Sequence, residues 1–174
     1  MAKIRKAVAY RRLERPYTRI SKYREKSFIR TNPAKKIIKY NMGNTTKKFE
    51  YKLELVSKAD IQIRDNAIES ARQSSNRILE KKIGSANYYF HILTYPHHIL
   101  RENPLAAGAG ADRFSTGMSH SFGKAIGNAV QLKKGQTIIN LSVDKIHLDS
   151  AKTAMKRASN KLPCSFLVRV QKNQ

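Results

Sequence analysis

Acidic residues are scarce in this chain: 12 Asp and Glu stand against 35 Lys and Arg in 174 residues, a formal charge of +23. That imbalance is far beyond what solubility needs and implies a polyanionic partner, nucleic acid first and a membrane surface second. Basic membrane binders set their charge opposite an apolar stripe, and no such amphipathic helix is visible in the basic regions, so no membrane partner is expected. No run approaches the roughly 20 apolar residues of a membrane span, and the N-terminus has no apolar signal core. Cysteine is almost absent as well. Cys164 alone excludes an intramolecular disulfide framework and makes an intracellular reading natural. The length suits one domain with a real core and is too short for two comfortable ones.

What is present in excess is positive charge near the start. Residues 1–48 hold 16 Lys and Arg against Glu14 and Glu25, giving +14 of the total. Residues 1–35 read as a basic RNA-binding arm, and residues 36–174 as the folded domain. Tyr10, Tyr17, Tyr23, Phe28 and Tyr40 interleave with the cations, a mixture suited to phosphate pairing and to stacking on unstacked bases. A solubilising tail is the bland alternative, and the tyrosines argue against it because such tails are poor in aromatics. Arg11, Arg12, Arg15 and Arg19 form the densest arginine cluster, and the planar guanidinium fits phosphate oxygens and stacks on bases. With Tyr17, Lys22 and Arg24 they are the expected RNA-binding residues of the arm, and Lys124 is expected to join them.

From about residue 36 the periodicity is that of a folded domain. Phe49, Tyr51, Leu53 and Leu55 alternate with polar residues, a half-buried strand, and a second extended piece ends at Ile63. Asp65 or a neighbour is expected to cap a helix running to about Ile83, stopped by Gly84. Its buried stripe would be Ala67, Ile68, Ala71, Ser75, Ile78 and Leu79. Tyr88 to Tyr95 reads as a strand leading directly into a long loop. Beyond that loop, Ile139, Leu141 and Val143 mark a strand. Asp144 is expected to cap a second helix with Leu148, Ala151, Met155, Ala158 and Leu162 inside and Pro163 at its end. A last strand puts Cys164, Phe166, Val168 and Val170 on one face. The expected fold class is α+β: a single domain with a mixed β-sheet and two helices packed on one face. Lys152, Lys156, Arg157 and Lys161 flank the second helix's stripe. For them an ordinary solvated face and RNA contact stand equal.

The loop, 101–124, is glycine-rich (Gly108, Gly110, Gly117, Gly123) and has little that could build a core, and a loop this long in a compact domain is usually functional. Small residues from Ala106 to Ala111 let backbone lie against a partner. Catalytic motifs fail on inspection. Gly117 to Lys124 has five residues between its glycines where a phosphate-cradling loop needs four, and Ala125 replaces the magnesium-binding Ser or Thr. Gly108-Ala-Gly110 lacks a third glycine and follows Pro104. The five histidines and Cys164 have no metal-ligand spacing. Ser119, His120 and Asp112 make a triad only on paper, and Asp112 beside Arg113 is more simply a loop brace. No catalytic residue, metal or cofactor is expected.

The loop sequence GAGADR at 108–113, followed by TGM at 116–118 and FGK at 122–124, resembles the signature of a large-ribosomal-subunit protein family, L-ten-e, counterpart of the bacterial L-sixteen. RPYTR at 15–19, YNMGN at 40–44, RDNAIESAR at 64–72, YPHHILREN at 95–103 and KLP at 161–163 extend the resemblance over nearly the whole chain, and it looks more archaeal than eukaryotic. Ser119, Ala125, Asn128 and Gln131 depart from the family's usual Arg, Pro, Thr and Arg. The resemblance implies a structural, non-enzymatic constituent of the large subunit bound to its rRNA near 5S rRNA. It implies neighbouring ribosomal proteins, assembly factors, and tRNA in the A and P sites as further partners. It also implies a loop directed at the peptidyl transferase centre, where Arg101, Asn103, Gly108, Gly110, Ala111, Asp112 and Arg113 would lie near tRNA acceptor ends. A free RNA-binding or RNA-chaperone protein is the alternative.

Overall fold

The computed structural model describes residues 5–13, 23, 25, 31–103, 110 and 123–173 of the chain. Among these, eight strands occur in chain order: β1 (Asn41–Gly43), β2 (Tyr51–Ser57), β3 (Ile61–Arg64), β4 (Tyr88–Ile92), β5 (His98–Glu102), β6 (Lys124–Leu132), β7 (Thr137–Val143) and β8 (Phe166–Lys172). Two α-helices, α1 (Asp65–Lys82) and α2 (Leu148–Ser159), complete the frame. The α+β class holds, but the strands form two sheets in the orders β1-β4-β7-β2-β8 and β3-β6-β5, and every pairing between them is antiparallel. The expected single mixed sheet is therefore corrected. α1 joins β3 of one sheet to β4 of the other, so it does not return the chain to a parallel neighbour.

The alternation around residue 53 produces β2, the strand flanked by β7 and β8. Leu53 lies opposite Leu141 and Val170, and Leu55 opposite Ile139 and Val168. Successive side chains point to opposite faces, so Leu53, Leu55, Phe90, Ile139 and Leu141 all enter one layer and are fully buried. Ile63, Val130 and Leu132 from the smaller sheet, with Ile68, Ala71 and Leu79 of α1 and Ala151, Ala154 and Met155 of α2, close the same core.

α1 buries Ile68, Ala71, Ser75 and Leu79 as its periodicity requires, while Ala67 and Ile78 pack partly buried beside them. Asp65 is its first residue rather than its cap; the N-cap position belongs to Arg64, whose side chain makes no capping bond. Asp65 is buried. It accepts the Asn66 N–H at 2.7 Å and the Lys36 N–H at 3.1 Å, so it fastens the incoming segment to the helix start. Gly84 adopts φ +84° after the helix and donates its N–H to Leu79 O at 3.1 Å, the left-handed stop that glycine provides without a Cβ penalty.

Other boundaries move. The strand expected over 88–95 ends at Ile92, and β5 intervenes before the loop, so the connection between strands runs from Asn103 to Gly123, with Arg101 on β5 and Lys124 on β6. Asp144 does not cap α2. A 3-10 turn, Lys145–His147, lies between them, and the Asp144 carboxylate takes Lys47 at 2.7 Å instead. α2 ends at Ser159, ahead of Pro163; Leu148 is only half-buried and Ala154 joins the stripe. Cys164 precedes β8, and Val170 on it is 39% exposed.

Candidate nucleic-acid interface

The outer face of the smaller sheet is closed by the first described segment of the chain. Tyr10 is 6% exposed and packs on Leu100, Ala129 and Ile126. Its hydroxyl donates to Glu102 Oε2 at 2.9 Å and accepts the Arg5 N–H at 3.3 Å, while Arg5 Nε bonds the same carboxylate at 3.0 Å. The Arg5 and Arg64 guanidinium groups lie 5.6 and 5.8 Å from the Tyr10 ring centroid. Gln62 adds two bonds to the strap, its N–H to Arg11 O at 2.9 Å and its Nε2 to Tyr10 O at 2.7 Å. Tyr10 is thus a core residue and has no free face for a base, contrary to its reading as a stacking aromatic. The pinned backbone leaves the Arg11 and Arg12 side chains exposed.

Tyr10→Ala is expected to remove about 3 kcal/mol locally. In native-state hydrogen exchange the Gln62 amide should lose roughly a hundredfold of its protection while the β2 amides keep theirs. Equal loss in both places would mean that the strap and the main core open as one unit.

Of the other expected RNA-binding residues, Arg15, Tyr17, Arg19, Lys22 and Arg24 lie outside the described residues, as do Gly108, Ala111, Asp112 and Arg113 of the loop. Lys124 is exposed at the start of β6, opposite Glu102. Arg101 faces Ala125, and partial burial lowers its pKa. Burial also lowers the pKa of His98, with the Arg101 charge adding to the effect. Asn103 is half-buried and Gly110 is exposed. Gly123 has φ +66°, and a Cβ there would sit 2.4 Å from the Glu102 carbonyl carbon. The two ends of the connection therefore meet at one point on the sheet.

Two of the departures from the family pattern are internal braces. Asn128 is fully buried and donates Nδ2 to Pro33 O at 2.8 Å, and Gln131 donates to Gln62 Oε1 at 3.1 Å across the β3–β6 pairing. Ser119 lies outside the described residues.

Of a second basic surface the sequence names only the α2 side, where Arg157 and Lys161 read equally as a solvated face or RNA contact; the α1 side is not read from its periodicity. Ser74, Arg77, Ile78 and Lys81 follow one another at helical spacing along α1, next to its buried stripe. They face Arg157, Asn160 and Lys161 at the end of α2 across a groove of about 810 Å³ that Lys82 also lines. No carboxylate lines the groove, and none of the five cations has an ion-pair partner among the described residues. Helix C-termini attract cations, which explains Lys81, Lys82 and Arg157 at those ends. It does not explain why all five line one groove, where they repel each other until an anion enters. Lys152, by contrast, sits near Asp149 at 3.9 Å on an exposed face. The spacing 74, 77, 78, 81 was the available signal, and it needed the position of α2 to be read.

Among the described residues no cluster of His, Cys, Asp or Glu is placed to hold a metal ion, and no helix is long and apolar enough to cross a membrane.

Residues 14–168 match the family described as ribosomal protein L16p/L10e. The large ribosomal subunit protein uL16 of Methanococcus maripaludis is 45% identical over 171 residues, covering 98% of this chain and 96% of the relative. The protein of that name from Methanococcus aeolicus is 44% identical over 168 residues, covering 95% and 94%. That from Archaeoglobus fulgidus is 41% identical over 163 residues, covering 94% and 90%. With one family matched across most of its length, and archaeal relatives 41–45% identical nearly end to end, the chain belongs to the ribosomal protein L16p/L10e family.

Proposed function

We propose that this chain, a structural ribosomal protein by family and not an enzyme, is a constituent of the large ribosomal subunit in the cytoplasm and holds its rRNA through cations delivered from separate elements. Arg11 and Arg12 on the strap, the α1–α2 groove and Lys124 at the loop base make three such points, and an RNA fold presents phosphates at several separated places. The residues from 1 to 35 beyond the strap act as the arm that follows the RNA. The connection from Asn103 to Gly123 extends toward the peptidyl transferase centre and helps to position tRNA acceptor ends, and the chemistry is left to RNA. 5S rRNA, neighbouring ribosomal proteins and assembly factors complete the surroundings.

The observation that carries the rRNA reading is the acid-free groove, because five cations without ion-pair partners among the described residues converge on it from two helices, a surface whose charge a polyanion complements. Crosslinking in native cell extract, with the RNA partners sequenced and the crosslinked residues mapped, tests it. Crosslinks from the strap and groove should fall in large-subunit rRNA, and those from residues 103–115 should reach tRNA ends. Crosslinks scattered over messenger RNAs, with none in the large subunit, would favour a free RNA-binding or RNA-chaperone protein instead.

A further inference from the structure

A second cleft differs in chemistry from the basic groove. It measures about 510 Å³, within the roughly 300–1,000 Å³ of small-ligand sites, and opens between the β4–β5 turn and β6. No Asp, Glu, Lys or Arg lines it, so it suits an uncharged ligand and not a phosphate.

Its rim is an aromatic ladder. Tyr40 and Tyr95 stack with centroids 5.7 Å apart, and the His97 ring lies 4.6 Å from Tyr95 with its plane tilted by 53°. A bond from the His97 N–H to Tyr95 O, 2.9 Å, closes a three-residue turn around Pro96, whose fixed φ suits that turn. The ladder is therefore built into the backbone. It ends at His97, whose side chain is exposed, and Tyr95 is itself 40% exposed. Lys35 lies 4.3 Å from the Tyr95 ring centroid and donates a hydrogen bond to the Tyr95 hydroxyl.

The wall below holds an unmet polar group. Thr94 is 5% exposed, and its Oγ1 has no hydrogen-bond partner among the described residues, a state that normally costs free energy. Gln131 and Gln136 stand nearby, and each amide uses one end within the protein, toward Gln62 Oε1 and the Lys133 N–H.

We infer that this cleft receives one unstacked base of the bound RNA, stacked on the exposed His97 ring and bonded at its edge by Thr94 and the glutamine amides. Every base has a π-face and a polar edge, and stacking on an exposed ring adds affinity without sequence choice. The inference rests on the RNA-binding reading above.

The test is a titration of the full-length chain with adenosine and uridine, which carry no phosphate, followed by NMR. Saturable shifts are expected at the Thr94 methyl, the Tyr95 and His97 rings and the Gln136 amide, with the Arg77 and Lys81 signals unmoved. His97→Ala should weaken nucleoside binding by roughly five- to a hundredfold. Thr94→Val, which keeps the shape, should weaken it less, with a Tm equal to or above that of the parent chain because the hydroxyl removed has no partner there. No shift over residues 93–98 at about 20 mM nucleoside, which would exclude even a millimolar site, overturns the inference if large-subunit rRNA still binds the same sample. The same result without rRNA binding overturns the RNA reading and the inference together. His97→Ala binding nucleosides as well as the parent chain would remove the stacking role.

Discussion

Glu69→Ala is expected to destabilise the fold by about 3–5 kcal/mol, because it leaves a largely buried guanidinium without its partner. Glu69 is 8% exposed on α1. Arg72 grips it with both arms, Nη2 to Oε1 at 2.6 Å and Nε to Oε2 at 2.8 Å, and Gln73 Nε2 adds a third bond at 3.0 Å. Arg72 Nη1 continues to Met42 Sδ at 3.0 Å, so the pair ties α1 to β1. The Arg72 side chain is only 12% exposed and has little access to water once the carboxylate is gone. Against a total stability of about 5–15 kcal/mol, such a loss is large.

The pH dependence of this pair has a definite sign. Burial by itself would raise the Glu69 pKa, but bonds from Arg72 and Gln73, the Arg72 charge and the Ile38 N–H outweigh it and hold the group below its ordinary 4.5. A depressed carboxyl contributes stability that is fully present above the unfolded pKa and is lost as pH falls through the folded one. Urea denaturation of the parent chain should therefore show a fall in stability below about pH 4.5, and Glu69→Gln, already destabilised at neutral pH, should show a smaller one. Identical pH profiles for the two chains would remove the pair from the account of acid stability.

The triple replacement Arg77→Glu, Lys81→Glu and Arg157→Glu is expected to weaken binding to large-subunit rRNA by roughly a hundredfold at moderate salt, taking about 1 kcal/mol per lost phosphate contact. The slope of log affinity against log salt should shrink by about two to three, since each neutralised phosphate contributes about 0.7–0.9. All three side chains are exposed, so the fold should lose only the favourable helix-end term at Lys81 and Arg157, about 0.3–1 kcal/mol each. Lys152→Glu, on the exposed face beside Asp149, is the control for net charge and should change affinity little. Unchanged affinity and slope in the triple variant would return the groove to an ordinary solvated face.

Much of the local structure was legible in the residues. The two-residue alternation found β2 and β7, and the helical stripe found α1 from Ile68 to Leu79, because burial of one face leaves its period in the sequence. β6 was missed. Ala125, Ile126, Gly127, Asn128, Ala129 and Val130 do not alternate, since both faces of that strand are covered, one by the main core and the other by Tyr10. Asp65 and Asp144 carried the residue type of a helix cap, yet one bonds the Lys36 N–H and the other takes Lys47, partners remote in the chain.

The sequence by itself determined the charge and therefore the class of partner, the α+β class, the position of the glycine-rich connection and the family. Each of these depends on composition, on a local period or on an ordered set of short motifs. Only the tertiary structure decided that the strands divide into two antiparallel sheets, that Tyr10 is core, and that Arg77, Lys81 and Lys82 meet Arg157 and Lys161 across one groove. The reason is physical. A period reports that a face is buried but not what buries it, and the partner of a face is chosen by packing between segments far apart in the chain.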